Sequence, residues 1–435
     1  MNEKRLFLLA LLLVTAVASL PAQLVNGRFT TSFYSWEQYD TVGVSKAYLR
    51  AYQTVQLSVA QGDFVFHTFA QGVMNGANSF GDVGRVRFYN LYATWTGFSR
   101  TLDLSLGRQA VFAGVGNGNI DGLTARARLL DDKITVTGYG GSTVKEEYTG
   151  VRSDWHDNIN VGGQVVTTLV PEARIGLSYM NRHEEYDPYW TTRARDSLGI
   201  PVPYYISGTS LARQLGSVDA SYLCGDLLTA YGRYDYDFNF SETSRGEGGV
   251  RVHVMPSLDV TGDVFYRKPQ IAFNSIFSAF AASSTTEIEG GVEYIVTPMV
   301  RVFGKLGSVS YTDDNSMRWT LGVNGGYGSV TYTGSSGFAG ELTSFNAEGT
   351  YPFFDRTLLP SLGVSLVSYR LSADSPRDNA LAVLLGATVR PLRSFSFDVQ
   401  GQWMKNRLYD HDMRLQVRLL YWFAERLSLF SEEAH

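Results

Sequence analysis

The chain has 435 residues, enough for two or three soluble domains, yet only 18% are charged against roughly 25% in a typical soluble domain. Gly (44), Tyr (26) and Phe (25) are abundant and Pro (12) is scarce, while a net charge of −5 is too near balance for a nucleic-acid partner. The His residues at 67, 156, 183, 253, 411 and 435 show neither HExxH nor HxH spacing, and no G-x-S-x-G accompanies them. No metal, no other cofactor and no enzyme activity are therefore expected.

The chain begins MNEKRLFLLALLLVTAVASLPAQ. Lys4 and Arg5 form a basic head, Leu6 to Val17 an apolar run, and cleavage after Ala18 or Ala22 completes a secretory signal peptide. Removing residues 1–22 takes away Glu3, Lys4 and Arg5, so the mature charge is −5 − 1 = −6. No later run of about 18 apolar residues exists, which excludes a transmembrane helix and leaves a soluble protein or a membrane barrel.

From residue 24 onward, period-2 alternation recurs. YLRAYQTVQLSV (48–59), RVRFYNLYATW (85–95) and GLTARARLL (122–130) come first, and Arg85, Arg87, Arg126 and Arg128 share one parity. Short turns at 61–63, 130–133, 170–173, 224–226, 255–257, 297–299 and 391–394 alternate with longer segments at 72–84, 107–121, 145–157, 185–208, 268–284 and 371–379. Strands joined short, long, short, long form an up-and-down antiparallel meander with one trimmed and one decorated end. About 22 strands (range 16–24) are expected, with both termini at the short-turn end. RQAVFAGVGNGNIDG (108–122) reads as a Gly-rich loop. Either it stays outside, or it folds inward with Arg108 and Asp121 at a constriction.

Cys224 has no partner in the chain and reads as a half-buried thiol in a turn. Beyond it, GRYDYDFNF (232–240) puts Arg233, Asp235 and Asp237 on one side and Tyr234, Tyr236, Phe238 and Phe240 on the other. With the turn at Cys224–Asp226, Arg213 is expected opposite Asp237. In TTEIEGGVEYIVTPMVRVFGKLG (285–307), a turn centred on Thr297 sets Glu293 opposite Arg301 and Glu289 opposite Lys305. The other face then pairs Tyr294 with Val300, Val292 with Val302 and Ile288 with Leu306. TDDNS (312–316) and DHD (410–412) are read as turn chemistry, having too few oxygens in line for Ca²⁺. ALAVLLGATV (380–389) is apolar on both faces, as a lumenal apolar patch or a subunit contact would be. SFSFDVQGQW (394–403) and MRLQVRLLYWF (413–423) resume the alternation, with Arg414 and Arg418 on one face.

Alternation alone does not say which face is wet. Aromatic residues concentrated near strand ends, and a polar face too rich in charge for a tight interior, favour a membrane barrel with a wide aqueous lumen. The whole mature chain (23–423, with 424–435 as a tail) resembles a Gram-negative outer-membrane porin-type barrel. Tyr421, Trp422 and Phe423 are similar to the aromatic-ended last strand that such proteins present to the barrel assembly machinery. The departure is the tail, so the last strand ends at Phe423 or at Phe430. LSLGRQAVFAGVGNGNIDGL (104–123) is similar over some twenty residues to the GRQ…DG segment of alginate-export-type porins, which implies passage of an organic or anionic solute.

The expected fold is thus an all-β transmembrane barrel in the outer membrane. Arg85, Arg87, Arg126, Arg128, Arg213, Asp235, Asp237, Glu289, Glu293, Arg301, Lys305, Arg414 and Arg418 are expected to line the pore. Tyr234, Tyr236, Phe238, Phe240, Tyr421 and Phe423 are expected in the aromatic girdles. The expected partners are the lipid bilayer, the assembly machinery and small solutes, with monomer and homotrimer both open. The expected function is passive diffusion of small hydrophilic solutes. The rivals are a barrel sheathing a periplasmic electron-transfer partner, an outer-membrane hydrolase and a soluble secreted β domain.

Overall fold

The computed structural model describes residues 23–427 apart from 42–43, 77–84, 98–99, 146–147, 149, 151–153, 186–188, 196, 209–212, 270–282, 313, 338–339 and 373. The expected signal segment and the end of the tail lie outside the described residues. The first nine strands are β1 (Gln23–Thr41), β2 (Val44–Gln61), β3 (Phe64–Asn75), β4 (Arg85–Gly97), β5 (Leu102–Ala113), β6 (Gly116–Leu129), β7 (Ile134–Thr143), β8 (Ile159–Thr167) and β9 (Ala173–His183). A separate hairpin, β10 (Tyr189–Arg195) and β11 (Pro201–Ile206), interrupts the series. It resumes with β12 (Arg213–Cys224), β13 (Leu228–Asp237), β14 (Glu242–Met255), β15 (Leu258–Arg267), β16 (Thr285–Thr297), β17 (Val300–Ser310) and β18 (Asn315–Gly325). The last six are β19 (Gly328–Gly337), β20 (Glu341–Thr350), β21 (Leu358–Arg370), β22 (Asp378–Leu392), β23 (Phe395–Lys405) and β24 (Asp412–Leu427).

Apart from the β10–β11 hairpin, all of these form one 22-stranded antiparallel sheet, closed where β1 pairs with β24 from Gln23↔Leu427 to Trp36↔Arg414. Closure removes the sheet edge, so the backbone donors and acceptors of the wall meet one another rather than hydrocarbon. Spaced about 4.8 Å apart and tilted by about 40°, 22 strands correspond to a cylinder roughly 45 Å across. Short turns such as Gly62–Asp63, Pro256–Ser257 and Pro298–Met299 mark one end, where the first and last described residues, Gln23 and Leu427, pair. In membrane β-barrels the short-turn end is periplasmic and the long-loop end extracellular, and the two ends are named accordingly. Cys224 is half-buried at the end of β12, as expected.

The two parities of each strand differ in kind. Val264, Ile288, Val292, Leu306 and Leu321 share the convex face and are well exposed, whereas the carboxylates of the other face are mostly less than a quarter exposed. A closed sheet shields its concave side, so the apolar set is the outer coat and the ionic set the inner wall.

Four expectations need correction. Residues 107–121 are not a loop: they belong to β5 and β6, joined at Gly114–Val115. The β16–β17 register differs by two residues, so Glu293 faces Phe303, Glu289 faces Gly307, Val292 faces Gly304, Tyr294 faces Val302 and Ile288 faces Ser308. The turn is Pro298–Met299, with an irregularity at Ile295/Thr297 that absorbs the difference. The same two-residue shift sets Asp237 opposite Leu215, while Arg213 faces Arg182 of β9. Finally, β24 continues past Phe423 to Leu427, because its pairing with β1 carries on to Gln23.

Candidate solute pathway

The inner wall from β12 to β18 is a continuous ionic surface. On β13, Arg233 grips Asp235 through Nε and Nη2 (2.8 and 3.0 Å). On β14, Arg245 grips Glu247 likewise (3.0 and 2.6 Å). The register sets Arg233 opposite Glu247 and Asp235 opposite Arg245, so the four charges alternate in both directions. Next along the wall, Arg251 lies 3.6 Å from Asp259, which also meets the His253 ring. Lys305 donates to Glu289 at 2.9 Å and Arg301 to Glu293 at 3.2 Å, both diagonally. Arg318 of β18 bridges Glu287 and Glu289. At the extracellular mouth Lys268 donates to Glu242, and that hydrogen bond holds its ammonium above the ordinary pKa.

Beyond β18 the character changes. The inward parity of β19 carries Ser329, Thr331, Thr333 and Ser335, and that of β20 and β21 carries Ser344, Asn346, Ser361 and Ser365. Glu348 is the charged exception and accepts from Ser329 at 3.1 Å. In β22 the inward residues are Ala380, Ala382, Leu384 and Gly386, facing Val367, Ser365, Gly363 and Ser361. The doubly apolar stretch at 380–389 is therefore an outer coat of Leu381, Val383 and Leu385 backed by a small, uncharged inner wall.

A third feature is the tip of the β5–β6 hairpin, which leaves the wall. Val111, Ala113 and Ile120 bury against Tyr139 of β7, and Val115 buries against Met180 of β9 and Leu215 of β12. Met180 and Leu215 lie on the inward parity, opposite in sense to the exposed Leu177 and Val218, so the tip packs inside the barrel. Glycine is demanded here by close approach. A Cβ on Gly116 would lie 2.4 Å from the Tyr139 hydroxyl, and one on Gly114 (φ +65°) 2.0 Å from Ser178 Oγ. Ser178 Oγ also accepts the Val115 N–H at 3.0 Å. At the neck, Arg108 binds Asp121 bidentately (2.7 and 2.8 Å), and Arg108 is only 7% exposed.

No protein-family model and no curated protein matches the chain. Among solved structures, the ferric enterobactin receptor PfeA of Pseudomonas aeruginosa superposes with a TM-score of 0.60 at 8% identity, covering 92% of this chain and 81% of that one. A P pilus tip assembly intermediate of E. coli containing PapC gives 0.53 at 10% identity, covering 94% and 61%. The FrpB iron transporter of Neisseria meningitidis gives 0.51 at 13%, covering 92% and 81%. At such identities the likeness is one of fold, and it agrees with the closed sheet, its apolar coat and its ionic interior. The chain has the fold of Gram-negative outer-membrane β-barrel proteins.

In this barrel the charged residues expected on the pore wall lie on the concave parity of their strands. Arg87 faces Gln71, Arg126 and Asp103 pair across β5–β6, and Arg128 also binds Asp103. Arg414 is held by Asp412 at 2.9 Å and Arg418 by Asp398 at 3.0 Å. Arg85 starts β4 opposite Val73, its side chain outside the described residues. Asp237 is different in role: its Oδ1 accepts the Asn239 and Phe240 N–H groups (2.9 and 3.2 Å), so it caps the β13–β14 turn. Arg108 and Asp121 satisfy each other at the hairpin neck instead of standing free. The ring-bearing residues form two outward clusters. Tyr179, Tyr236 and Phe238 meet at the extracellular end, with Tyr234 and Phe240 exposed nearby, while Phe29, Tyr421 and Phe423 stack at the periplasmic end. Sequence reading missed Arg245, Glu247 and Arg318, although their even spacing from Arg251 and Thr320 carried the inward parity.

Proposed function

We propose that the outer-membrane barrel is a passive channel for small hydrophilic solutes, running through a lumen lined by both signs of charge. The observation that supports it is the ionic arc. More than a dozen charged side chains on one concave face are stabilised in pairs at about 3 Å, and pairs of this kind hold at little cost only where water hydrates their remaining lone pairs and protons. The inward hairpin tip narrows that lumen on the β7–β12 side. Mixed charge gives weak ion preference, so diameter and the tip set the cut-off. Purified protein in planar bilayers is expected to give stepwise conductance; folded protein that gives none would sink this reading. Ile120→Asp places a carboxylate in a fully buried apolar cluster, expels the tip and raises single-channel conductance. Unchanged conductance with an intact fold would remove the tip from the conducting path.

A second reading, a sheath around a periplasmic partner, draws on the roughly 45 Å width of a 22-stranded cylinder. A channel conducts alone, whereas a sheath co-purifies with its partner. The bilayer and the barrel assembly machinery are the other proposed partners, and mass in detergent separates a monomer from a homotrimer.

A further inference from the structure

The ladder between β4 and β5 runs from Gly97↔Leu102 to Leu91↔Arg108 and stops there. Among the described residues, Arg85–Asn90 have no partner on β5, because the β5–β6 tip has turned into the lumen. Counted from Gly97, these are the seventh to twelfth residues (97 − 90 to 97 − 85) of a strand that crosses in about 9–11. The break therefore lies in the outer-leaflet half, where an unsatisfied strand edge is costly.

Two contacts blunt that edge. Tyr148, held at φ 50°, accepts the Phe88 N–H on its carbonyl (2.8 Å), and Arg108 Nη1 donates to the Phe88 carbonyl (3.3 Å). The Tyr148 ring lies 4.7 Å from that of Tyr89, which lies 4.8 Å from Phe69, and Asn119 Nδ2 donates to the Tyr148 hydroxyl (2.9 Å). The edge is thus held by the Tyr148 backbone and the Arg108 guanidinium, and the Tyr148 ring plugs the space beside them. The seam is oily outside, where Val86, Leu91 and Leu106 are exposed and Arg108, on the parity of Leu91 and Leu106, is neutralised by Asp121. On the inward parity stands Arg87, whose buried Nε has no hydrogen-bond partner. Phe69 and Tyr89 share the inward parity of Arg87, so the row of rings leads from Tyr148 along the lumenal side of the seam.

We propose that the β4–β5 seam is a lateral portal through which an amphiphile with a hydrocarbon tail and an anionic head passes between lumen and outer leaflet. Tyr148 is its stopper and Arg87 its first lumenal contact. The inference rests on the barrel fold and not on conductance.

The test uses the full mature chain folded in phospholipid vesicles, photolysed with a diazirine-bearing hexadecyl sulfate and mapped by mass spectrometry. Phe69 and Tyr89 are expected to be labelled at least threefold more than Thr331, an inward residue remote from the seam that reports entry through bulk water. Tyr148→Ala is expected to raise labelling of Phe69 severalfold. Tyr148→Phe, which removes only the Asn119 bond, is expected to raise it less and guards against misfolding of the alanine variant. Label confined to Val86, Leu91 and Leu106, with Phe69 no higher than Thr331, would overturn the portal. A protein that conducts no ions yet labels Phe69 would sink the channel and leave the portal standing.

Discussion

The arc from β12 to β18 and the arc from β19 to β22 are built on the same ladder and turn different chemistry inward. Outside, they match: Val264, Val292, Leu306 and Leu321 on one, Tyr332, Phe345, Leu362 and Leu366 on the other, all apolar and exposed. Inside, the first presents paired arginines and carboxylates, and the second presents mainly hydroxyls and alanines, with Glu348 and, at the start of β22, Asp378. The bilayer dictates one parity of every strand, since any polar group there is left without a partner. Water in the lumen tolerates either chemistry on the other parity, so the inner wall is where barrels of one architecture can diverge in function.

The sharpest way to break that comparison is to put charge on the shared outer face. Val292→Arg on the ionic arc and Leu362→Arg on the neutral arc are each expected to destabilise the barrel by about 2–4 kcal/mol. Thr331→Arg on the inner wall should stay within about 0.5 kcal/mol. Urea titration in lipid vesicles reads all three. Unequal losses at Val292 and Leu362 would mean that only one arc faces lipid at that depth.

Of intermediate size is the effect of unbalancing the ionic arc. Arg318 holds both Glu287 and Glu289 and is itself 41% exposed on its side chain. Arg318→Met should therefore cost less than about 1 kcal/mol while shifting the reversal potential in a salt gradient toward cations. Thr331→Glu, the same change of charge sign on the neutral arc, should shift it in the same direction. Both shifts should fade between 0.1 M and 1 M salt as the screening length falls from about 10 Å to about 3 Å. An Arg318 variant indistinguishable from wild type at 0.1 M would show that the residue does not meet conducting water.

How far the sequence revealed this can be read from particular strands. Period-2 alternation identified which residues share a face, and thus the coat and the wall, because the side-chain period is two. For the same reason it set register only to within an even number of residues: Glu293 sits opposite Phe303 and not Arg301, yet both placements keep the carboxylate inside. The difference lies in the turn, whose bulge at Ile295/Thr297 leaves no mark in the alternation. The β5–β6 hairpin was hidden differently. Its glycines read as loop, whereas they serve to let backbone pass within contact of Tyr139 and Ser178, neighbours that only the closed barrel supplies. Nothing local announced the β4–β5 seam, since it arises from where two strands part.

The smallest effect tests register itself. Glu289 meets Lys305 diagonally (2.9 Å), while on the neutral arc Ser365 donates to Asn346 directly opposite (2.6 Å). Double-mutant cycles of Glu289→Gln with Lys305→Met, and of Asn346→Ala with Ser365→Ala, are each expected to give a coupling of about 0.2–1 kcal/mol. Magnitude alone does not separate them; salt does. The half-exposed Lys305 ammonium leaves the ion pair open to counter-ions, so its coupling should shrink toward zero at 1 M salt while the hydroxyl–amide coupling stays put. An ion-pair coupling that ignores salt would place Glu289 and Lys305 in a dry site, and the inner wall of the ionic arc could not then be in contact with water.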